Sequence, residues 1–146
     1  MHMMRKELYN AAGIMHMTTE YDATNHWVYN NWIGPQDLAR VVAGGEACLK
    51  LLRKNACPYL INDNRHTFEP WDYAVEWVVT DWLPRALAAG LTHYVQVIRP
   101  ESPTSLSAEA LYTAIGEQME MRVFITLTEA QTWLQQVQQK PSIGTG

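Results

Sequence analysis

The chain has 146 residues, 47% of them hydrophobic and 18% charged, and a formal net charge of −4 at pH 7. At this length about two-thirds of the unfolded chain's surface is buried on folding, enough for one ordinary core, and the composition is too apolar for a disordered chain. The acidic total argues against a broad phosphate-tracking surface, so no nucleic-acid partner is expected, and Cys48 and Cys57 are too few for a disulfide scaffold and fit no zinc pattern.

Arg5 and Lys6 in the opening stretch are not followed by the apolar core of a secretory signal, and no window is apolar enough to span a bilayer. The expectation is a cytoplasmic protein without a transmembrane segment. It is a single domain over residues 1–146, with an ordered core over about 14–138 and a flexible tail over 140–146.

Taken in order, Ile14 to Tyr21 and His26 to Ile33 are predicted strands joined by the turn-forming run Asp22 to Asn25, an opening hairpin. In the second strand both faces are mixed, so the buried one is not assigned. Pro35 is placed at the first position of a helix carrying Leu38, Val41, Val42, Leu49 and Leu52 and ending near Lys54. Gly44 and Gly45 interrupt it, each at a cost of about 1 kcal/mol relative to alanine, which points to close backbone packing.

Pro58 to Ile61 is expected as a short buried strand that empties into a loop over Asn62 to Thr67. A helix from about Pro70 presents Trp71, Ala74, Val75, Val78 and Trp82 to the sheet, with Tyr73 and Trp77 beside that stripe, and Pro84 should kink it before Ala89 and Gly90 end it. Tyr94 to Ile98 is the next strand, followed by a loop over Arg99 to Ser105 and a helix from about Ser107 to Ile115, closed by Gly116. Met121 to Ile125 is the last strand. Thr126 and Glu129 form a capping box ahead of a helix bearing Ala130, Trp133, Leu134 and Val137. The fold class is therefore α/β: a mixed, mostly parallel sheet opened by an N-terminal hairpin, with about four helices.

The chain resembles small bacterial STAS-like proteins, whose fold is that of anti-sigma factor antagonists. The residues that carry the likeness are Trp32, Gly34, Leu60, Asn62 to Arg65, Trp71, Glu76, Trp77, Asp81 to Pro84, Ala89, Gly90, Ala130, Trp133 and Leu134. In that group a loop after the strand following the first long helix carries Asp-Ser-Ser-Gly, whose serine is phosphorylated to switch partner binding. The corresponding stretch here is Asn62-Asp63-Asn64-Arg65-His66-Thr67, without Ser-Ser-Gly, and Thr67 is the hydroxyl residue nearest that place.

Ligands of open α/β sheets bind beyond the carboxyl ends of the strands. That rule makes Asn62, Asp63, Asn64, Arg65, Thr67 and Arg99 candidates. Arg65, Arg99 and the first amides of the helix near Pro70 could hold an anion; the plainer expectation is Asx turns, with Arg65 paired to Asp63 or Glu69. Tyr73 and Trp77 offer an aromatic edge for a partner, unless the first helix or the N-terminal segment covers them. Asp72 and Glu76 share a helical face and read as solvated surface, and Asp81 and Arg85 as an exposed ion pair. No residue pair supports catalysis, and His2 and His16 beside several methionines lack metal-ligand spacing. No cofactor or metal is expected.

The leading functional expectation is a non-enzymatic, STAS-like regulatory module that presents Arg65 and the Trp71 to Trp82 helix to a protein partner or a second copy of itself. The alternative is a small-molecule or lipid-binding domain with a cavity between sheet and helices.

Overall fold

The structure, a computed structural model, describes residues 4–139. Its six strands form one sheet in chain order: β1 (Met4–Tyr9), β2 (Met15–Asp22), β3 (Trp27–Ile33), β4 (Tyr59–His66), β5 (His93–Val97) and β6 (Glu120–Phe124). β1, β2 and β3 pair antiparallel, and β3 through β6 pair parallel. The helices are α1 (Leu38–Lys54), α2 (Asp72–Trp77), a π-helical turn (Val78–Trp82), α3 (Leu83–Ala88), α4 (Pro103–Ile115) and α5 (Leu127–Gln139). Because α2, the π turn and α3 run on without a break, the described residues form four helical bodies. The fold is α/β with a mixed sheet opened by a hairpin.

Parallel crossovers of one hand that advance in one direction leave their helices on one face of the sheet. α1, the α2–α3 body and α4 accordingly share one face over a core that includes Val28, Leu52, Leu60, Leu83, Leu111 and Met121. α5 lies alone on the other face, where Ala130 and Leu134 meet Trp27, Ile61, Val95 and Val97. Thr126 Oγ1 accepts from the Glu129 amide and so caps the start of α5; the Glu129 carboxyl accepts from the Thr126 hydroxyl instead of its backbone N–H, so half of the predicted capping box forms.

The structure departs from the sequence expectations at five places. β1 precedes the expected ordered core; its side chains are mostly exposed and alternate too weakly to show a strand by pattern. The helix after β3 begins at Leu38, capped by Asp37, whose carboxylate accepts from the Arg40 amide, and Pro35 stays outside it. β4 does not end at Ile61 but runs to His66, because its polar side chains find partners within the sheet. Before Pro84 the helix widens: the Leu83 amide bonds the Val78 carbonyl five residues back, a π turn that takes up the hydrogen bond and the space denied by the proline. α4 starts at Pro103, capped by the Ser102 hydroxyl, four residues before the expected position. The expected tail over 140–146 lies outside the described residues. No helix among the described residues is long and apolar enough to cross a membrane.

The two helix glycines set how closely α1 approaches its neighbours. A Cβ on Gly44 would overlap the Trp32 ring, with Cζ3 2.8 Å away, and a Cβ on Gly45 would come 2.9 Å from Trp77 Cη2 and 3.2 Å from Trp82 Cδ1. The sheet therefore claims Gly44 and the aromatic helix claims Gly45. Trp82 Nε1 uses the second approach to donate to the Gly45 carbonyl at 2.8 Å, and Arg85 bridges Glu46 on α1 and Asp81 beside it.

Gly44→Ala adds a methyl where the Trp32 ring lies, which costs about 1–3 kcal/mol by overpacking against about 1 kcal/mol gained in helix propensity. A lower urea midpoint is expected, with Gly44→Ala costing less in a Trp32→Leu background than in the parent. An unchanged or raised midpoint in the single variant would contradict this packing.

Candidate functional site

The face beneath α1 and α2 is built in rows, because directly paired residues of neighbouring strands share a face. One row is Tyr21, Val28, Leu60, Tyr94 and Met121, an ordinary apolar layer. The next row toward the carboxyl ends of the parallel strands is Thr19, Asn30, Asn62, Gln96 and Val123. Four polar residues thus lie side by side in the interior, where Thr19 and Gln96 are fully buried and Asn30 and Asn62 nearly so.

Burying such groups is costly unless they pair, and here they pair with one another. The Thr19 hydroxyl donates to Asn30 Oδ1 at 2.6 Å. Asn62 Oδ1 accepts from Trp32 Nε1 at 2.6 Å and from Asn30 Nδ2 at 3.4 Å. Asn62 Nδ2 donates to Asn64 Oδ1 at 2.9 Å and to Gln96 Oε1 at 3.1 Å, and Gln96 Nε2 donates to Asn64 Oδ1. The buried Tyr94 hydroxyl closes the chain on Gln96 Oε1 at 3.0 Å. Burial, above all, raises the pKa of the Tyr94 phenol, which keeps it a donor. Cys48, over the same floor on α1, is a thiol whose pKa burial pushes up to about 12.

Above this floor lies a cavity of about 70 Å³. That is room for several waters or one small planar group. Asn30, Asn62 and Asn64 line its floor, and Trp32, Trp71, Trp77 and Trp82 its walls. Glu69 and Tyr73 are the exposed lining residues and so mark its mouth, Tyr73 being 45% exposed. Val78 and Trp82 reach the cavity from the two ends of the π turn, a helical irregularity that recurs at functional sites.

The candidate residues named from sequence separate into two groups. Asn62, Asn64, Thr67, Tyr73 and Trp77 all line this one cavity. Asp63 and Arg65 alternate to the α5 face. There Arg65 clasps Asp63 through Nε at 3.0 Å and Nη2 at 2.8 Å, and the Tyr29 hydroxyl donates to the same carboxylate at 2.6 Å. Burial opposes the charge on Asp63, but these hydrogen bonds outweigh it and leave the pKa below the usual carboxylate value.

The anion site built on Arg65, Arg99 and the helix start does not assemble. Arg65 is committed to Asp63, Arg99 lies 4.9 Å over the Phe68 ring, and the Trp71 amide donates to Ser107 Oγ of α4 at 2.8 Å. That Ser107 hydroxyl in turn donates to Asp72, which stays solvent-exposed as expected while linking α2 to α4. Thr67 is 2% exposed and its hydroxyl donates to the Gly34 carbonyl at 2.8 Å, which hides it from any phosphorylating partner in this conformation. Trp77 is covered by α1 at Gly45, whereas Tyr73 is not. Among the described residues no group of three or more His, Cys, Asp or Glu side chains is placed to hold a metal.

Sequence reasoning missed Asn30, Trp32 and Gln96. The signal was an amide in each of three strands, Asn30 after Tyr29, Asn62 after Ile61 and Gln96 after Val95, at positions that only the register brings into line. No protein-family model, no curated protein and no solved structure matches the chain.

Two outcomes follow from this geometry. Asn62→Ala leaves Trp32 Nε1 and neighbouring amides without a partner and should lower stability by about 1–3 kcal/mol per orphaned group; a urea midpoint within error of the parent would contradict the amide row. Asp63 has a folded pKa below its unfolded value of about 3.9, so its stabilisation is present above that value and fades as pH falls through the folded one. Asp63→Asn should therefore destabilise at pH 7 and approach the parent as pH drops below about 4, a convergence read from urea titrations across pH.

Proposed function

We propose that this protein is a small-molecule-binding domain whose ligand enters between α1 and the α2–α3 body and reaches the amide floor at the carboxyl ends of the parallel strands. The observation that carries this reading is an aromatic-walled cavity over buried, mutually paired amides. Such a combination of large apolar area with a few fixed polar atoms is how ligand sites obtain affinity and orientation together. Its position agrees with the rule for open α/β sheets. Cavities that serve only packing tend to be small and apolar, whereas this one has a polar floor and a mouth.

A second reading, a non-enzymatic regulatory module of STAS-like type, has one observation in its favour: Phe68 and Tyr73, on the segment between β4 and the π turn, are 52% and 45% exposed. Apolar rings at one site suit a protein partner. Arg65 and Trp77, however, lie on opposite faces of the sheet and cannot form one surface, so a partner would meet Phe68 and Tyr73 without Arg65.

Native mass spectrometry of the gently purified protein separates the two readings, since a retained small molecule supports the first and a stoichiometric second polypeptide the other. The decisive variant is Ala74→Leu, which adds bulk to the cavity wall from α2 and leaves every residue of the amide row in place. It should abolish the thermal stabilisation given by a bound small molecule while the unliganded protein melts no lower than the parent. Full retention of the ligand by Ala74→Leu would overturn the cavity reading.

A further inference from the structure

The two outer strands of the sheet are not alike. β1 carries Arg5, Lys6 and Glu7 in succession. A second β1 laid antiparallel about any of these three residues would set that charge against itself, and a lysine on an outer strand guards against such pairing. β6 differs, because a neutral residue, Met121, stands between an acid, Glu120, and a base, Arg122. Among the described residues only β5 lies beside it.

The inner side of β6 is spent on β5. The Glu120 amide donates to the Thr92 carbonyl at 3.3 Å, and the Phe124 carbonyl accepts from the Ile98 amide at 2.9 Å. Successive residues of a strand turn their backbone groups to opposite edges, so Arg122 shares this inner side with Glu120 and Phe124. The amides and carbonyls of Met121 and Val123 therefore point outward, as a template for another strand. Beside that edge, between α4 and β6, lies a groove of about 470 Å³ whose apolar lining includes Ile98, Ala108, Tyr112 and Val123. Tyr112, Val123 and Ile125, just past the strand, are exposed. Open backbone groups next to exposed apolar side chains suit the addition of a strand.

Charge selects which strand is added. Glu120 and Arg122 are exposed and pair with each other at 3.0 Å, with the Arg122 guanidinium 5.4 Å over the Trp133 ring of α5. Residues two apart on a strand share a face. When a second β6 runs antiparallel with the two-fold axis at Met121, each Glu120 comes directly opposite the other copy's Arg122, and the two Met121 residues exchange both backbone bonds. Opposite charges placed so stabilise the pair, whereas an axis at Arg122 would oppose two arginines. The strand is thus complementary to itself, which is what a two-fold interface requires.

We propose that two copies of this chain associate through β6, antiparallel about Met121, into one continuous sheet. The axis stands perpendicular to the sheet, so both α4 helices stay on one face and the two Tyr112 grooves turn toward each other across the junction.

Sedimentation equilibrium of the whole chain reads the association, and the parent should dimerise. Arg122→Glu and Glu120→Arg each put like charges opposite one another on both sides of the axis, and each should weaken the dimer at least about tenfold. Mixed one to one, the two variants should dimerise as the parent does, because an acidic strand then faces a basic one. Val123→Pro removes one outward amide and none of the bonds to β5, so it should be monomeric with the parent's tryptophan emission; should it fail to fold, the charge variants decide. A parent that stays monomeric up to about 1 mM, where only very weak association escapes detection, overturns the proposal. So does a folded Val123→Pro that still dimerises, or a pair of charge variants that associate with each other no better than with themselves.

Discussion

The structure depends on one run of hydrogen bonds, from Thr19 through Asn30 and Asn62 to Gln96, laid directly across four strands under the helices. An apolar row at this level would have given a sheet of the ordinary kind. Instead each strand delivers one polar side chain at the same height, and none is tolerable without the next, since a buried amide left alone costs more than the pair returns. Register between strands is therefore fixed by chemistry as well as by pattern. A slip of one residue would turn Asn62 and Gln96 out of the row and place Ile61 and Val95 beneath the helices.

What covers the row is as unusual as the row itself. Trp32, Trp71, Trp77 and Trp82 stand around it and hold the helices off the amides, leaving a space that smaller side chains would have let collapse. Three of the rings, Trp32, Trp77 and Trp82, stay close to α1 only because Gly44 and Gly45 carry no Cβ. The π turn serves the same arrangement from the other helix, setting Trp82 so that its indole reaches the Gly45 carbonyl while Val78 remains on the cavity wall. Bulk on one side and its absence on the other produce a fixed cavity between them.

The opposite face of the sheet follows different rules. Asp63 and Arg65, one residue out of phase with Asn62 and Asn64, form an ion pair with Tyr29 beside them that takes up the carboxylate and two of the guanidinium nitrogens. Burying that pair stabilises little in itself, because desolvation takes back much of the attraction, but it satisfies the one carboxylate wholly inside the sheet. α5 covers the neighbouring apolar rows through Ala130 and Leu134. One polar string in the sequence thus serves two unrelated sites, divided by the alternation of the strand.

Sequence by itself determined the local features that short-range chemistry specifies: the hairpin closed at Asp22 to Asn25, the Thr126 cap on the Glu129 amide, the end of α4 at Gly116 and the α/β order of elements. It also picked out most residues of the polar string and the aromatic edge. Tertiary structure alone decided that Asn62 to His66 is strand rather than loop, since polar residues read as loop until their partners on other strands are known. It alone decided that β1 joins the sheet, an exposed edge having little apolar pattern to show. The division of Asn62 and Asn64 from Asp63 and Arg65, and the meeting of three strand amides with four tryptophans, are contacts between residues distant in the chain. Propensity and periodicity act over a few residues and carry no information about such pairings; only strand register and the close approach allowed by the α1 glycines bring them into being.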